Sequence, residues 1–447
     1  MAIGQRALAF FRARSFSAST FVVLGSQVLR SAFVLLTWAV IGRFLGAQAL
    51  GRIQIAYLLP LSIAIFLNLG LPVANAYLIG KRQYPIENIF GNNLLLSVAG
   101  SSVAVVILLA TKPAAIRYSS IPSELFIAAV VWIPLQQLYS VLLSLLLGEQ
   151  RFAEQSWIGV LNGICMALGT LLTAVVLKLG VPGVTWTLVG STAIFVGYMC
   201  WLYWPAHISL LWPSKPLVTD SLRLGLKAYF GNMLQFFNYR FDSFIVAYFA
   251  GATALGVYAV AYSVAELLWY IPQAVATVLL PVTSSSEADV ATLRTSRICR
   301  LSIGLGVMTG LAIALATPLL IPRFMGLEYR KSVSLIWILL PGAVLFVCAK
   351  ILAADLSGRG RPEFGSYAAL GGLLATIPLN LVFVPIYGAS ASAAISSVVY
   401  FAEAVYLLIC YSRMTTVSVS SLLWPRRQDL VFPSWQWSSS LKAAASK

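Results

Sequence analysis

Gly46-Ala-Gln-Ala-Leu-Gly-Arg-Ile-Gln-Ile-Ala-Tyr57 recurs as Gly251-Ala-Thr-Ala-Leu-Gly-Val-Tyr-Ala-Val-Ala-Tyr262, with seven identities in twelve positions at an offset of 205 residues. Chance would give roughly one identity at so biased a composition. Fainter echoes keep nearly the same register: Gly148 and Arg151 match Gly358 and Arg361, and Gly180 matches Gly388. The chain therefore reads as two copies of one unit, and the remaining questions are what that unit is and which solvent it lives in.

Composition answers the second question. Of 447 residues 60% are hydrophobic and only 10% are Asp, Glu, Lys or Arg, and the mean hydropathy is +0.87. Soluble domains carry about 25% charged residues, so a globule this poor in charge could not cover its surface. Lipid is the remaining solvent, and there only helices of about 20 apolar residues or closed barrels satisfy the backbone. Apolar runs of that length fall at about 18–41, 54–80, 90–110, 122–147, 156–177 and 181–203. Six more lie at about 225–250, 253–281, 300–322, 332–356, 366–386 and 389–411. The expected fold class is an all-α polytopic membrane protein, with twelve spans arranged as two six-helix bundles.

Because six is even, both copies enter the membrane in the same sense, and a pseudo-twofold along the membrane normal relates them. With the N-terminus inside, nineteen of the thirty Lys and Arg residues fall on inner segments and eight on outer loops. Positive charge stays cytoplasmic, so both termini are expected there, in the cell inner membrane. The same distribution accounts for the net charge of +16 by topology and anionic lipid, without nucleic acid as a partner.

The expected divisions are a cytoplasmic N-terminus at 1–17, an N-lobe at 18–203, an interfacial linker at 204–222, a C-lobe at 223–411 and a cytoplasmic tail at 412–447. The basic start runs straight into a long span, which reads as a retained first helix and not a cleaved leader. Trp204, Trp212 and Pro213 place the linker along the inner interface. Leu422, Leu423, Trp424, Trp435 and Trp437 suit a tail resting on the membrane surface. The cysteines, Cys165, Cys200, Cys299, Cys348 and Cys410, lie in or beside spans without a CxxC. They read as apolar thiols, with neither a disulfide framework nor a metal site.

Ionisable groups in hydrocarbon each cost roughly 2.5 kcal/mol or more, so they face protein or water and are functional candidates. They are Arg30, Arg240, Asp242, Glu266, Lys350, Asp355 and Glu403. Gln27, Arg30 and Thr37 share one helical face of span one. The repeat offset carries them to Asn232, Gln235 and Asp242 on span seven, with Asn238 extending the stripe. Two readings follow: the stripes face one another across a central cleft, or each packs within its own lobe. Arg240 stands off this register, since its counterpart Leu35 is about 140° round the helix from Arg30; it either pairs with Asp242 or sits on the rim. Arginine in a cavity suits phosphate, whose oxygens match its forked donors. The candidate substrate-binding residues are thus Arg30, Arg240, Gln27, Asn232, Gln235 and Asn238. Asp242, Glu266 and Glu403 are candidates to couple a proton or sodium ion, although Glu266 and Glu403 equally suit packing against Lys350 or Arg240. Lys350 and Asp355, near the inner end of span ten, read as snorkelling groups.

With these residues in place, the sequence resembles the polysaccharide (Wzx-type) flippases of the MATE and virulence-factor-like (MOP) transporter superfamily. The resemblance rests on Gly46 to Tyr57, on Asn238-Tyr-Arg-Phe-Asp242 leading to Gly251 to Tyr262, and on Val278-Leu-Leu-Pro281. Gly358-Arg-Gly-Arg361 and the stretch from Asn380 to Gly388 extend it over about residues 18–411. It implies a V-shaped pair of bundles moving undecaprenyl-pyrophosphate-linked oligosaccharide from the cytoplasmic to the periplasmic leaflet by alternating access, for O-antigen, capsule or exopolysaccharide synthesis. It also implies basic cavity residues that bind the pyrophosphate, here Arg30 and Arg240, and neighbours such as a polysaccharide polymerase and chain-length machinery. Lipid II flippases are relatives with further helices that this chain lacks.

The alternative on the same fold is a MATE-like, cation-coupled antiporter of small molecules, built on Glu266 or Glu403. The first six spans have no acidic residue in their cores, which disfavours a carboxylate site in the first lobe. A membrane glycosyltransferase or polymerase would need catalytic carboxylates or histidine; the single histidine, His207, lies on the inner linker, and no outside loop exceeds about 20 residues. No P-loop spacing occurs. Neither a catalytic residue nor a cofactor is expected.

Overall fold

The computed structural model describes residues 16–113, 121–204, 213–270, 288–415 and 417–424, and, between 270 and 288, Pro272, Gln273, Val275, Ala276, Leu279 and Thr283. The start of the N-terminus, His207, Trp212, most of Val278 to Pro281, and the tail with Trp435 and Trp437 lie outside the described residues. Every regular element described is helical: α1 (Phe16–Asn68), α2 (Leu71–Gly80), α3 (Ile86–Ala110), α4 (Ser123–Gly148), α5 (Phe152–Leu171), α6 (Gly180–Tyr203), α7 (Lys215–Ala265), α8 (Ala288–Met325), α9 (Arg330–Gly358), α10 (Glu363–Tyr387), α11 (Ala389–Thr415) and the short α12 (Val419–Leu423). A π turn at Leu172–Val176 extends α5, and a tight turn at Glu266–Trp269 extends α7. The chain is a multi-pass membrane protein.

Among the described residues ten helices are long and apolar enough to cross a membrane, against the twelve spans expected. The difference lies in two stretches, Gly25–Asn68 and Tyr229–Trp269, in each of which one expected span and most or part of the next follow one another across a kink without an intervening loop. Each is broken at the first glycine of the repeat motif: Gly46 has φ 86° and ψ 172°, and Gly251 has φ 82° and ψ 175°. These are conformations that a side chain resists and glycine adopts freely. The repeat is thus duplicated in backbone geometry as well as in letters. The expected second span is itself interrupted where Leu69 and Gly70 take positive φ, which separates α1 from α2.

Helices α1 to α6 pack largely on one another, as do α7 to α11, and α1 and α2 against α7 form the main seam between the halves. Glycines make that seam possible. A Cβ on Gly51 would run into the Ala252 carbonyl, and one on Gly256 into the Ala47 carbonyl. The equivalent glycines of the two copies therefore let each backbone rest on the other. Backbones this close gain dispersion contacts that larger side chains would prevent. Beside them Glu328, in the turn before α9, accepts a hydrogen bond from the amide of the buried Ala47 at 3.0 Å, at the N-terminus of the helical segment after Gly46. Farther down the seam Gly70 and Gly225 meet backbone to backbone.

The start of α7 is capped by the Ser214 hydroxyl, with proline in the first turn, an arrangement that satisfies an orphan amide. It is tied to the first half by Asp220, which accepts from Tyr84 at 2.7 Å and Gln83 at 3.1 Å. The Asp220 hydrogen bond holds the Tyr84 phenol above its ordinary pKa. Three expectations need correction. Cys299 and Cys348 form a disulfide between α8 and α9, with Cα atoms 5.5 Å apart, where isolated thiols were expected; the helices bring together residues 49 apart in sequence. Leu422 is fully buried because α12 docks on α8, with Arg300 donating to the Ser421 carbonyl at 2.7 Å, so Leu422 covers protein and not lipid, while Trp424 stays exposed. Asp355 does not snorkel: it is fully buried and accepts from Thr283, Thr295 and Arg359 at 2.6–2.8 Å.

Candidate functional site

A cavity of about 400 Å³ lies between the halves, walled by α1, α4, α5 and α6 on one side and by α7 and the segment to Gln273 on the other. Arg30 lines it from α1 and is exposed. Gly159 and Gly163 of α5 admit α1 closely there: a Cβ on Gly159 would touch the Arg30 side chain, and one on Gly163 would crowd Phe33. Gln27 and Thr37 line the same wall, so the stripe read on span one does face the cavity.

The matching stripe on span seven does not. Asn232 is exposed, and neither it nor Gln235 nor Asn238 lines the cavity. Asn238 is buried and donates to Glu403 on α11 at 2.6 Å. Gly372 on α10 makes room for that pair, since a Cβ there would strike the Glu403 carboxylate. Asp242 is buried as well: Tyr258 donates to it at 2.5 Å, Ser396 at 3.1 Å and the Ser243 amide at 2.6 Å. A carboxylate with this many donors is a satisfied group locking α7 to α11. Asn238 and Asp242 therefore pack inside their own half while Asn232 is exposed away from the cavity, and the reading in which the stripes face one another is corrected.

Arg240, the residue off the stripe, lines the cavity instead. Two residues from both Asn238 and Asp242, it stands about 200° round the helix from each, so burying those two turns Arg240 outward. It pairs with Glu266, not Asp242: its Nη2 lies 3.0 and 3.1 Å from the two carboxylate oxygens. Its guanidinium lies over the Tyr262 ring, 4.6 Å from the centroid. Glu266 is thus held by an arginine on the cavity wall, while Glu403 and Asp242 face away. Lys350 does not snorkel either. Its ammonium donates to the Tyr239 hydroxyl at 3.0 Å and sits 4.9–5.4 Å from the centroids of the Tyr239, Trp269 and Phe346 rings, a cation–π cage inside the second half.

The rest of the wall is amide and aromatic. Gln54, Gln136, Asn162 and Gln273 line it, with Trp38, Tyr57, Trp132, Tyr139, Tyr262 and Tyr270. Gln54 donates to the Tyr262 hydroxyl across the seam. Gln27 Oε1, Gln54 Oε1, Asn162 Oδ1 and Arg240 Nη1 are buried and make no hydrogen bond within the protein, so a polar ligand reaches them only if these side chains turn toward the cavity. Tyr57 and Tyr262 close the two copies of the repeat motif, and their equivalence was the signal in the sequence that could have placed both on the cavity. Trp132 and Asn162 carried no such signal. Among the described residues no cluster of three or more His, Cys, Asp or Glu could hold a metal ion.

The sequence profile described as "Polysaccharide biosynthesis protein" matches residues 40–334. A search of curated protein sequences finds no match. Among solved structures, the fold is similar to an inward-facing multidrug-resistance MATE family transporter of the MOP superfamily. That structure is 17% identical, with 90% of this chain and 98% of that one covered and a TM-score of 0.73. The lipid II flippase MurJ in its inward closed conformation is 14% identical, with 91% of this chain and 88% of that one covered and a TM-score of 0.75. An outward-facing MATE family transporter, 18% identical over 90% of this chain and 96% of that one, superposes with a TM-score of 0.63. These likenesses show the fold, while the profile covers most of the chain; the protein belongs to the polysaccharide biosynthesis protein family and has the architecture of a MOP superfamily transporter.

Proposed function

We propose that the protein is a flippase that carries an undecaprenyl-pyrophosphate-linked oligosaccharide from the cytoplasmic to the periplasmic leaflet by alternating access. The observation that carries this reading is a cavity between the halves to which each half contributes an arginine, Arg30 and Arg240. Two guanidinium groups suit a diphosphate, which offers several oxygens to forked donors. The amide and aromatic wall suits the first sugars, whose hydroxyls take the amide groups while their apolar ring faces stack on indole and phenol rings. Opposite walls that each hold the same charged group couple its binding to the angle between the halves.

Under this reading both termini are cytoplasmic, the protein sits in the inner membrane, and the Gly51–Gly256 seam seals the outer side. Coupling to a proton or sodium ion remains part of the proposal, as do a polymerase and chain-length machinery as partners. The competing antiporter needs a carboxylate open to a cationic solute, and the cavity's own carboxylate, Glu266, is already neutralised by Arg240.

Deleting the gene is expected to make lipid-linked oligosaccharide accumulate in the cytoplasmic leaflet, with drug susceptibility unchanged. Altered susceptibility without accumulation would point to the antiporter. Asp242→Ala should cost about 1–3 kcal/mol of stability, because it orphans buried donors, while leaving the affinity for a short polyprenyl pyrophosphate unchanged. Thermal unfolding and a binding titration on the purified variant check both parts; weakened binding by a stably folded variant would return Asp242 to the site.

A further inference from the structure

We propose that Glu266 is a resident counterion at the Arg240 subsite: an anionic phosphate head group takes its place on the guanidinium, and the displaced carboxylate turns toward Lys350. The inference rests on the reading that the cavity binds such a head group, and it adds how the empty site is held and what it rejects.

Three observations converge on it. Arg240 spends one nitrogen on Glu266 and leaves Nη1, buried, without a partner, although its fork can hold two oxygens side by side. Both side chains of the pair are 22% exposed, on the cavity side, so an incoming anion reaches the pair without unpacking the second half. Tyr262 beneath the guanidinium keeps that group in place when its partner changes.

The second observation is Lys350. This buried ammonium has rings and one hydroxyl around it, and among the described residues no carboxylate stands within ion-pair distance of it. The charges of Glu266 and Glu403 both reach it, and since neither pairs with it directly it is an unfilled ion-pair partner. Tyr239 and Trp269, two walls of its cage, also line a small void of about 10 Å³ together with Glu266 and Asp242. That volume is about one water molecule, so the swing of the carboxylate toward the lysine also requires the Tyr239 and Trp269 rings to move aside.

The third observation is the charge count. With Arg30 and Arg240 on the wall and Glu266 paired with Arg240, the empty cavity carries one net positive charge. A diphosphate diester, doubly negative, neutralises both arginines once Glu266 has left, and Glu266 is then compensated by Lys350. A neutral sugar has no charge with which to displace Glu266, and a cation has no reason to. The exchange therefore selects for the phosphate, and it moves the segment that carries Glu266 whenever substrate binds.

The test uses the full-length protein in nanodiscs, titrated with geranylgeranyl pyrophosphate, and with geranylgeraniol as the uncharged control. Removing the resident anion should tighten binding of the pyrophosphate: Glu266→Gln and Glu266→Ala are each expected to lower its Kd about tenfold, with geranylgeraniol unaffected and the rate of lipid translocation reduced because release slows. A gain in affinity cannot come from misfolding. Lys350→Met, remote from the cavity, should weaken pyrophosphate binding about threefold by taking away the carboxylate's second partner. Unchanged or weaker binding by both Glu266 variants, with Arg30→Ala still weakening it, overturns the exchange and leaves the cavity's proposed role standing. Unchanged affinity for Lys350→Met overturns the swing toward the lysine. If Arg30→Ala and Arg240→Ala both leave the affinity untouched, it is the proposed function that falls.

Discussion

Replacing Arg30 and Arg240 together by alanine is expected to lower translocation of a lipid-linked diphosphate at least about 100-fold, since hydrogen bonds to a charged group contribute roughly 1.5–3 kcal/mol each. The two residues come from opposite walls of one cavity, so the double variant removes the positive charge that each half contributes to it. The single variants should differ. Arg30 has no carboxylate partner within ion-pair distance among the described residues, and Arg30→Ala takes away attraction alone. Arg240→Ala also takes the partner from Glu266, which repels the same anion whenever it is not turned toward Lys350. Arg240→Ala is therefore expected to be the more damaging single change. A reconstituted assay following a labelled lipid diphosphate across liposomes measures all three, and full activity in the double variant would end the case for diphosphate recognition here.

A comparable loss should follow from filling the seam. Gly51 and Gly256 each support the other half's backbone, and a side chain at either would collide with a carbonyl group that cannot rotate away. Gly51→Val and Gly256→Val should thus penalise the state in which this seam is shut. Forcing extra carbons into a packed contact costs about 1–3 kcal/mol, enough to reduce that state's population by about 5- to 150-fold. A carrier that cannot close one side leaks its cycle there, and transport should fall by a similar factor while each half stays folded. Spin labels at Phe44 and Leu327, both exposed beside the seam, report the opening as a shift to longer distances. An unchanged distance distribution in a variant that has lost transport would show that the seam is not a gate.

Much of this was legible before any coordinates. The membrane class follows from charge too sparse to solvate a globule, and the duplication from Gly46 to Tyr57 against Gly251 to Tyr262. Even the broken helices are implicit there, since glycine begins both copies. Arg30 and Gln27 share one polar face of their helix, and that face lines the cavity. Asn238 and Asp242 do not line it, because the second half supplies its own polar partners, Glu403 on α11 and the Tyr258 and Ser396 hydroxyls.

The sequence alone determined the solvent, the helices and the twofold plan, because these depend on composition and on periodicity within one segment. Only the tertiary structure decided which face of α7 looks into the cavity. Helical spacing sets the angle between Arg240 and Asp242 but not the rotation of the whole helix about its axis. That rotation is chosen by what the neighbouring helices offer: hydroxyl groups that satisfy Asp242 on one side, and a tyrosine and a carboxylate that receive Arg240 on the other.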